Sequence, residues 1–280
     1  MKIAITGANG LFGHGLIRIM SAQHEVFPMT RATADLTDVA ALRRALISEK
    51  PDVVVHTAGL PDPDVCESEP ERAFAANVLA TRNVVNVARE LSFAVAHIST
   101  DSVFDGASTT PRKETDPVAP ISVYGKTKLL AEEAVKALDR HWIFRVSVLF
   151  GPGKENFVDK GLRLLREGSP FTVASDQLGS ATNTLDAASK ILEVIESGHY
   201  GTFHLCNQGE CTRLELARYA AELAHLPSDN IIGKPLAEMK RKGPRPRYAV
   251  MEMKALADAG ISLPRHWKDA LAEYLGSAGK

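Results

Sequence analysis

The apolar run Ile3-Ala4-Ile5-Thr6 passes directly into Gly7-Ala8-Asn9-Gly10-Leu11-Phe12-Gly13 and then into an amphipathic segment. Strand, glycine turn and helix in that order are the start of a dinucleotide-binding βαβ unit. Glycines at 7 and 10 let the backbone turn tightly and come close to a pyrophosphate. Gly13 lets the helix pack near the strand, and the helix N-terminus offers free N–H groups and a positive dipole end to phosphate. The spacing is G-x-x-G-x-x-G, one residue longer between the first two glycines than the commoner fingerprint.

The pattern continues as such a unit requires. Short β-branched runs at Ile3–Thr6, Glu25–Met29, Val53–His56, Ala94–Ile98 and Trp142–Val146 alternate with segments of near-3.6 apolar spacing. Those helical segments are Leu11–Ala22, Val39–Glu49, Glu71–Leu91 and Val123–Leu138. Strands that are almost wholly apolar predict a parallel sheet covered on both faces, hence a doubly wound, Rossmann-like α/β domain over residues 1–150. After Gly151-Pro152-Gly153 the texture changes. Residues 151–280 predict a smaller α/β substrate-binding domain, with helices at Phe157–Arg166 and Leu185–Ser197 and a segment near 183–200 returning to the first domain. The Lys-, Arg-, Gly- and Pro-rich stretch from Gly233 to Arg247 reads as a loop.

Charge narrows the function. Lys+Arg 33 against Asp+Glu 34 gives a net charge of −1, so no global field draws the chain to nucleic acid or to an anionic membrane. No 18-residue apolar run occurs, and Thr6–Gly10 breaks the apolar start before a signal-peptide core could form. Three dispersed cysteines, Cys66, Cys206 and Cys211, make no disulfide framework. A cytoplasmic location is expected.

Three further features carry chemistry. The second strand ends Met29-Thr30-Arg31 with no acid until Asp35, where an acid would repel a ribose 2′-phosphate and arginine accepts it. NADP(H) through Arg31 is therefore favoured over NAD. Tyr124 and Lys128 are i and i+4 on one helix, a spacing that lets a lysine cation draw a phenol towards working pH and so serve as proton donor to a ketone. Strand Ala94–Ile98 runs into Ser99-Thr100-Asp101 at a carboxyl edge, where Thr100 can donate to a substrate oxygen.

With these motifs together (Thr6–Gly13, His97-Ile98-Ser99-Thr100-Asp101-Ser102-Val103-Phe104-Asp105-Gly106 and Tyr124-Gly125-Lys126-Thr127-Lys128), the chain resembles the extended short-chain dehydrogenases/reductases, most closely the dTDP-4-dehydrorhamnose reductase family. The likeness runs nearly end to end. It implies a reductase acting on the C4 ketone of a nucleotide-linked 4-keto-6-deoxy sugar, with Thr100, Tyr124 and Lys128 as the catalytic set. It implies that Gly7, Asn9, Gly10, Leu11, Phe12 and Gly13 line the pyrophosphate, Asp35 and Leu36 the adenine, and Thr57, Ala58 and Gly59 the ribose side, with Asn77 among the cofactor residues. Asp101, Ser102, Asn156, Gln177 and Ser180 fall near the sugar nucleotide. Two aromatics of the family pattern are replaced here, a tyrosine by Ser102 and a tryptophan by Val148, and the segment Pro61–Glu67 is altered, which reshapes the pocket while leaving the cofactor motifs in place.

Other chemistries find no support. Gly125-Lys126-Thr127 has Pro120 where a P-loop needs glycine, no H-E-x-x-H or zinc spacing occurs, so no metal is expected, and no G-x-S-x-G elbow is present. Within the basic loop, Arg245 or Arg247 is the candidate clamp for a substrate diphosphate. The rivals share the superfamily: a non-catalytic NADP-binding subunit like the β subunit of methionine adenosyltransferase, and a sugar-nucleotide epimerase or dehydratase. A homodimer is left open by the sequence.

Overall fold

In the computed structural model, which describes residues 1–278, the apolar runs form a six-stranded parallel sheet. Its first five strands are β1 (Lys2–Thr6), β2 (Glu25–Met29), β3 (Val53–His56), β4 (Ala94–Thr100) and β5 (His141–Val146). The sixth is Gly201–His204, and the spatial order is β2-β1-β3-β4-β5 and then that strand. Every residue of β3 and β4 is buried, as expected of central strands covered on both faces. Pro28, which lacks an amide donor, sits on the edge strand β2, where no ladder bond is lost.

Helices cover each face. On one side, α1 (Leu11–Met20) lies beneath the sheet with a later helix, Thr184–Ser197, burying Leu16, Met20, Ile191 and Ile195 against Ile3, Ile5 and Val55. The two helices meet closely at Gly15, where an added Cβ would stand 3.0 Å from Thr184. On the other side, α2 (Val39–Glu49) buries Leu42 and Leu46 with Val84 and Val95. The region expected as one helix, Glu71–Leu91, is instead segmented. A short α3 (Pro63–Ser68) precedes α4 (Pro70–Phe74), a π-helical turn at Ala75–Leu79, and α5 (Ala80–Leu91). The wide turn holds one extra residue within an otherwise continuous helix, a feature that recurs at functional sites. Helix α6 (Val123–Val135) ends three residues earlier than periodicity predicts.

Past residue 150 the chain divides its packing. Phe150, Val158, Leu162, Leu216, Trp267 and Leu271 form a separate apolar cluster, and Phe171, Val173, Ala221 and Ile231 another. Met251, Met253, Leu256 and Ile261 instead join the core beneath the main sheet, so the segments that reach it extend well beyond residue 200. The stretch expected as loop from Gly233 is corrected at its start. Ile231–Lys234 is a strand paired in parallel with Phe171–Ala174, because Ile231 is buried in the small second sheet, and Leu236–Glu238 forms a 3₁₀ turn. No helix among the described residues is long and apolar enough to cross a membrane.

Candidate active site

The chain leaves β1 to make β2 on one side and then crosses to β3 on the other, with Thr6 opposite His56 at their carboxyl ends. Loops diverge at such a switch point and leave a crevice. Here it is a cavity of about 920 Å³. Gly7, Asn9, Gly10, Leu11 and Phe12 line it from the turn, Arg31 and Leu36 from beyond β2, and Thr57, Ala58 and Gly59 from beyond β3. Asn77, Thr100, Asp101, Tyr124 and Lys128 complete the expected residues on its wall.

The glycine turn is built for close backbone approach. Gly7 has φ +69°, and a Cβ there would lie 2.8 Å from the Ala58 nitrogen. A Cβ on Gly13 would collide with the Gly7 carbonyl oxygen, so α1 rests directly on the turn rather than on the strand. The α1 N-cap is Gly10, with no side-chain cap and no acid in the first turn, which leaves its N–H groups and dipole for an anion. Thr57 fixes the end of β3 by donating to the Thr6 carbonyl at 3.0 Å. Asn77, in the π-helical turn, accepts from the Leu60 N–H at 2.7 Å and donates to Thr127 Oγ1 at 3.0 Å. Arg31 is exposed at the cavity. This cradle of free N–H groups, with a cation beyond β2, fits a dinucleotide carrying a 2′-phosphate. Asp35 is a partial correction, since its neighbours Ala34 and Leu36 line the cavity and it does not. Its carboxylate accepts from the Thr37 hydroxyl at 2.7 Å and N–H at 2.9 Å, bonds that hold it below the usual carboxylate range.

Opposite the cradle, α6 begins after Ser122, whose hydroxyl accepts from the Gly125 N–H at 3.0 Å. A Cβ on Gly125 would strike the Ser102 carbonyl oxygen, so α6 is seated directly on the turn after β4. That seating sets Tyr124 beside Thr100 on the cavity wall. Thr100 also donates to Asp101 Oδ1 at 2.9 Å and accepts from the Ser102 N–H at 3.1 Å. Burial pushes the Tyr124 phenol up, the Thr100 hydroxyl works against that, and Asp101 adds to the rise. The expected tuning of Tyr124 by Lys128 is thus reversed in its net outcome: burial dominates and the phenol keeps its proton. The Lys128 ammonium, itself buried, is drawn down to about 8 by desolvation, with Glu132 opposing. It donates to the Ile98 carbonyl at 2.6 Å and bonds His97 Nε2 at 3.1 Å. Beneath, the fully buried Glu132 pairs with Arg145 at 2.8 Å and accepts from Ser99, anchoring the ends of β4 and β5.

The residues expected near a substrate separate from one another. Asp101 lines the cavity and accepts hydrogen bonds from Ser147 and from Ser102, the latter at 3.1 Å. Asn156 does not line it: its Oδ1 caps the helix Phe157–Arg166 through the Val158 and Asp159 N–H groups, and its Nδ2 serves Gly151, Asp159 and Tyr274. Gln177 donates to the Pro246 carbonyl at 3.3 Å, and Ser180 is buried beside Met251. Arg245 pairs with Asp64 at 3.2 Å and donates to the Gly243 carbonyl, and Arg247 pairs with Asp176 at 3.3 Å, so the expected diphosphate clamps hold their own loop instead. Sequence reasoning missed Ser147, Lys154 and Glu155, which line the cavity together with Val148. Ser147 follows β5 at the same carboxyl edge as Thr100, a position that marks it. Arg213 is a half-buried cation with its guanidinium carbon 5.9 Å from the Phe157 ring centre. No group of three or more candidate metal ligands occurs among the described residues.

Comparison with known proteins bears on this geometry. The family model described as the RmlD substrate binding domain matches residues 1–279. The spore coat polysaccharide biosynthesis protein SpsK of Bacillus subtilis is 35% identical over 98% of this chain and 96% of its own. A dTDP-4-dehydrorhamnose reductase from Clostridium acetobutylicum superposes with a TM-score of 0.95 at 34% identity, covering 100% of both chains. A dTDP-4-dehydrorhamnose reductase from Bacillus anthracis, solved in complex with NADP, gives a TM-score of 0.95 at 28% identity over 99% of both chains.

Proposed function

The chain belongs to the RmlD substrate binding domain family, and from that premise we propose that it is an NADPH-dependent reductase of the C4 ketone of a nucleotide-linked 4-keto-6-deoxy sugar. One observation carries the reading: Tyr124, beside Thr100 and one helical turn from the buried Lys128, shares a cavity with a glycine cradle for a dinucleotide. The relatives superposed above are named as reductases of such a sugar, and one was solved with NADP.

When bound, the cofactor supplies a hydride to the ketone carbon. The chain supplies the rest. Free N–H groups at the start of α1 and the close backbone of Gly7 and Gly10 bind the pyrophosphate, and Arg31 takes the 2′-phosphate. Lys128 directs its remaining N–H towards the nicotinamide ribose. Thr100, whose hydroxyl donates to Asp101 in the free protein, turns that hydrogen to polarise the ketone oxygen, and Tyr124 Oη gives that oxygen its proton. A phenol is in its protonated form at neutral pH and can serve as the acid in this direction. Asp101, braced by Ser147 and Ser102, and Val148 bound the sugar. In this reading the first 150 residues carry the cofactor and the later segments close the substrate side.

The test is loss of NADPH absorbance with purified protein and dTDP-4-keto-6-deoxy-L-lyxo-hexulose. Turnover is expected. NADPH binding with no turnover on this sugar, or on its UDP, GDP and CDP counterparts, contradicts the proposal.

A further inference from the structure

Two histidines that no part of this reading uses lie beside Lys128. His56 ends β3 and His97 lies in β4; both are fully buried, and their rings stand 5.3 Å apart. Hydrogen-bond logic fixes the first. Thr81 Oγ1 donates to the Asn77 carbonyl at 2.7 Å, so it accepts from His56 Nε2–H at 3.0 Å. His56 Nδ1 then accepts from the Thr6 hydroxyl at 2.8 Å, on the residue before Gly7. His56 is therefore neutral and of one tautomer. His97 is arranged differently. Its Nε2 meets the Lys128 ammonium at 3.1 Å, while its Nδ1 has no hydrogen-bond partner among the described residues. A buried polar atom left unpaired is costly, and an apolar side chain would avoid that cost.

We propose that His97 is a positioning residue for Lys128. Its neutral Nε2 accepts one ammonium N–H, the Ile98 carbonyl accepts a second at 2.6 Å, and the third is left pointing to the cavity. The inference rests on the proposed contact of Lys128 with the cofactor ribose. The titratable and charged groups around the ammonium are His97 and His56 from the sheet, Tyr124 and Glu132 from its own helix, Arg145 paired with Glu132, and Asp101 next to Thr100. Burial holds His56 down at about 3 and His97 well below its ordinary range, so neither histidine takes the proton from Lys128. His97 thus acts as a fixed acceptor, which stabilises the charged lysine against the desolvation that lowers it to about 8. Removing the acceptor lowers that value further.

The experiment is NADPH affinity, read by fluorescence titration from about pH 6 to pH 10, for the wild type, His97→Leu and His97→Gln, with thermal unfolding as a check on folding. Wild-type affinity should weaken through a midpoint near 8, where Lys128 loses its charge. Losing a hydrogen bond to a charged group should move the His97→Leu midpoint about one to two pH units towards acid and so weaken binding about two- to tenfold at neutral pH. His97→Gln, which keeps an acceptor oxygen, should retain the wild-type midpoint. A folded His97→Leu protein that binds more weakly by the same factor at every pH, with its midpoint unmoved, overturns the proposal. So does an identical shift in both variants. A wild-type affinity that stays flat across this range removes Lys128 from the cofactor site and sinks the underlying reading together with this one. Binding that follows the predicted midpoints without sugar turnover upholds His97 and sinks only the assigned substrate.

Discussion

The two sides of the cavity were read from the sequence by the same means and came out differently. On the cofactor side, Gly7, Asn9, Gly10, Leu11, Phe12, Arg31, Leu36, Thr57, Ala58, Gly59 and Asn77 reach one surface, and of the expected residues Gly13 and Asp35 do not. On the substrate side only Asp101 does so, while Ser102 donates to Asp101, and Asn156, Gln177, Ser180 and Arg245 are engaged in holding loops and helices in place. The cofactor side is made of backbone, and glycine spacing after a strand determines where a backbone goes. The substrate side is made of side chains whose polar atoms are claimed by caps and loop contacts before any ligand arrives.

That contrast can be broken in several places. The largest change should come from the buried pair beneath Lys128, Glu132 with Arg145. Glu132→Ala leaves a buried guanidinium without its partner and should destabilise the protein by about 3–5 kcal/mol in denaturant unfolding. A mild effect would mean that the ends of β4 and β5 are held by something else. Next is the cradle. Gly13→Ala puts a methyl against the Gly7 carbonyl and should cost about 1–3 kcal/mol while weakening NADPH binding, the signature of a turn displaced from its ligand. Asn156→Ala should cost roughly 1 kcal/mol of stability through loss of the helix cap, with the sugar-nucleotide KM unchanged. A raised KM with stability intact would restore Asn156 to the substrate side. The smallest expected effect is at exposed Arg31. Arg31→Ala should raise the KM for NADPH about two- to fivefold and leave that for NADH alone; equal changes for both cofactors would remove its 2′-phosphate role.

Five of the six parallel strands, the covering of the sheet on both faces and the helix that carries Tyr124 are legible in the sequence, since they follow from apolar period, whereas the strand order and the sixth strand, Gly201–His204, are not. Other features were written there and passed over. Asp62-Pro63 is a helix start, with Asp62 accepting from the Asp64 and Val65 N–H groups and proline at the first position, yet α3 was not expected. The π-helical turn at Ala75–Leu79 left no local signal, because its extra residue preserves an apolar stripe on either side. The pairing of Arg245 with Asp64 joins residues 181 apart in sequence, and nothing in a basic loop announces which distant acid it will meet. His97 read as an ordinary strand residue before I-S-T-D. Only the fold shows that its ring meets Lys128 from the next element.

The central claim is that Tyr124 is the proton donor in a preformed cofactor cavity. It is tested most directly by measuring NADPH binding and sugar-nucleotide turnover together in Tyr124→Phe. The account predicts turnover lower by about 10²–10⁴-fold, with NADPH affinity close to that of the wild type. Wild-type turnover in that variant, or NADPH affinity lost along with it, would contradict the assignment.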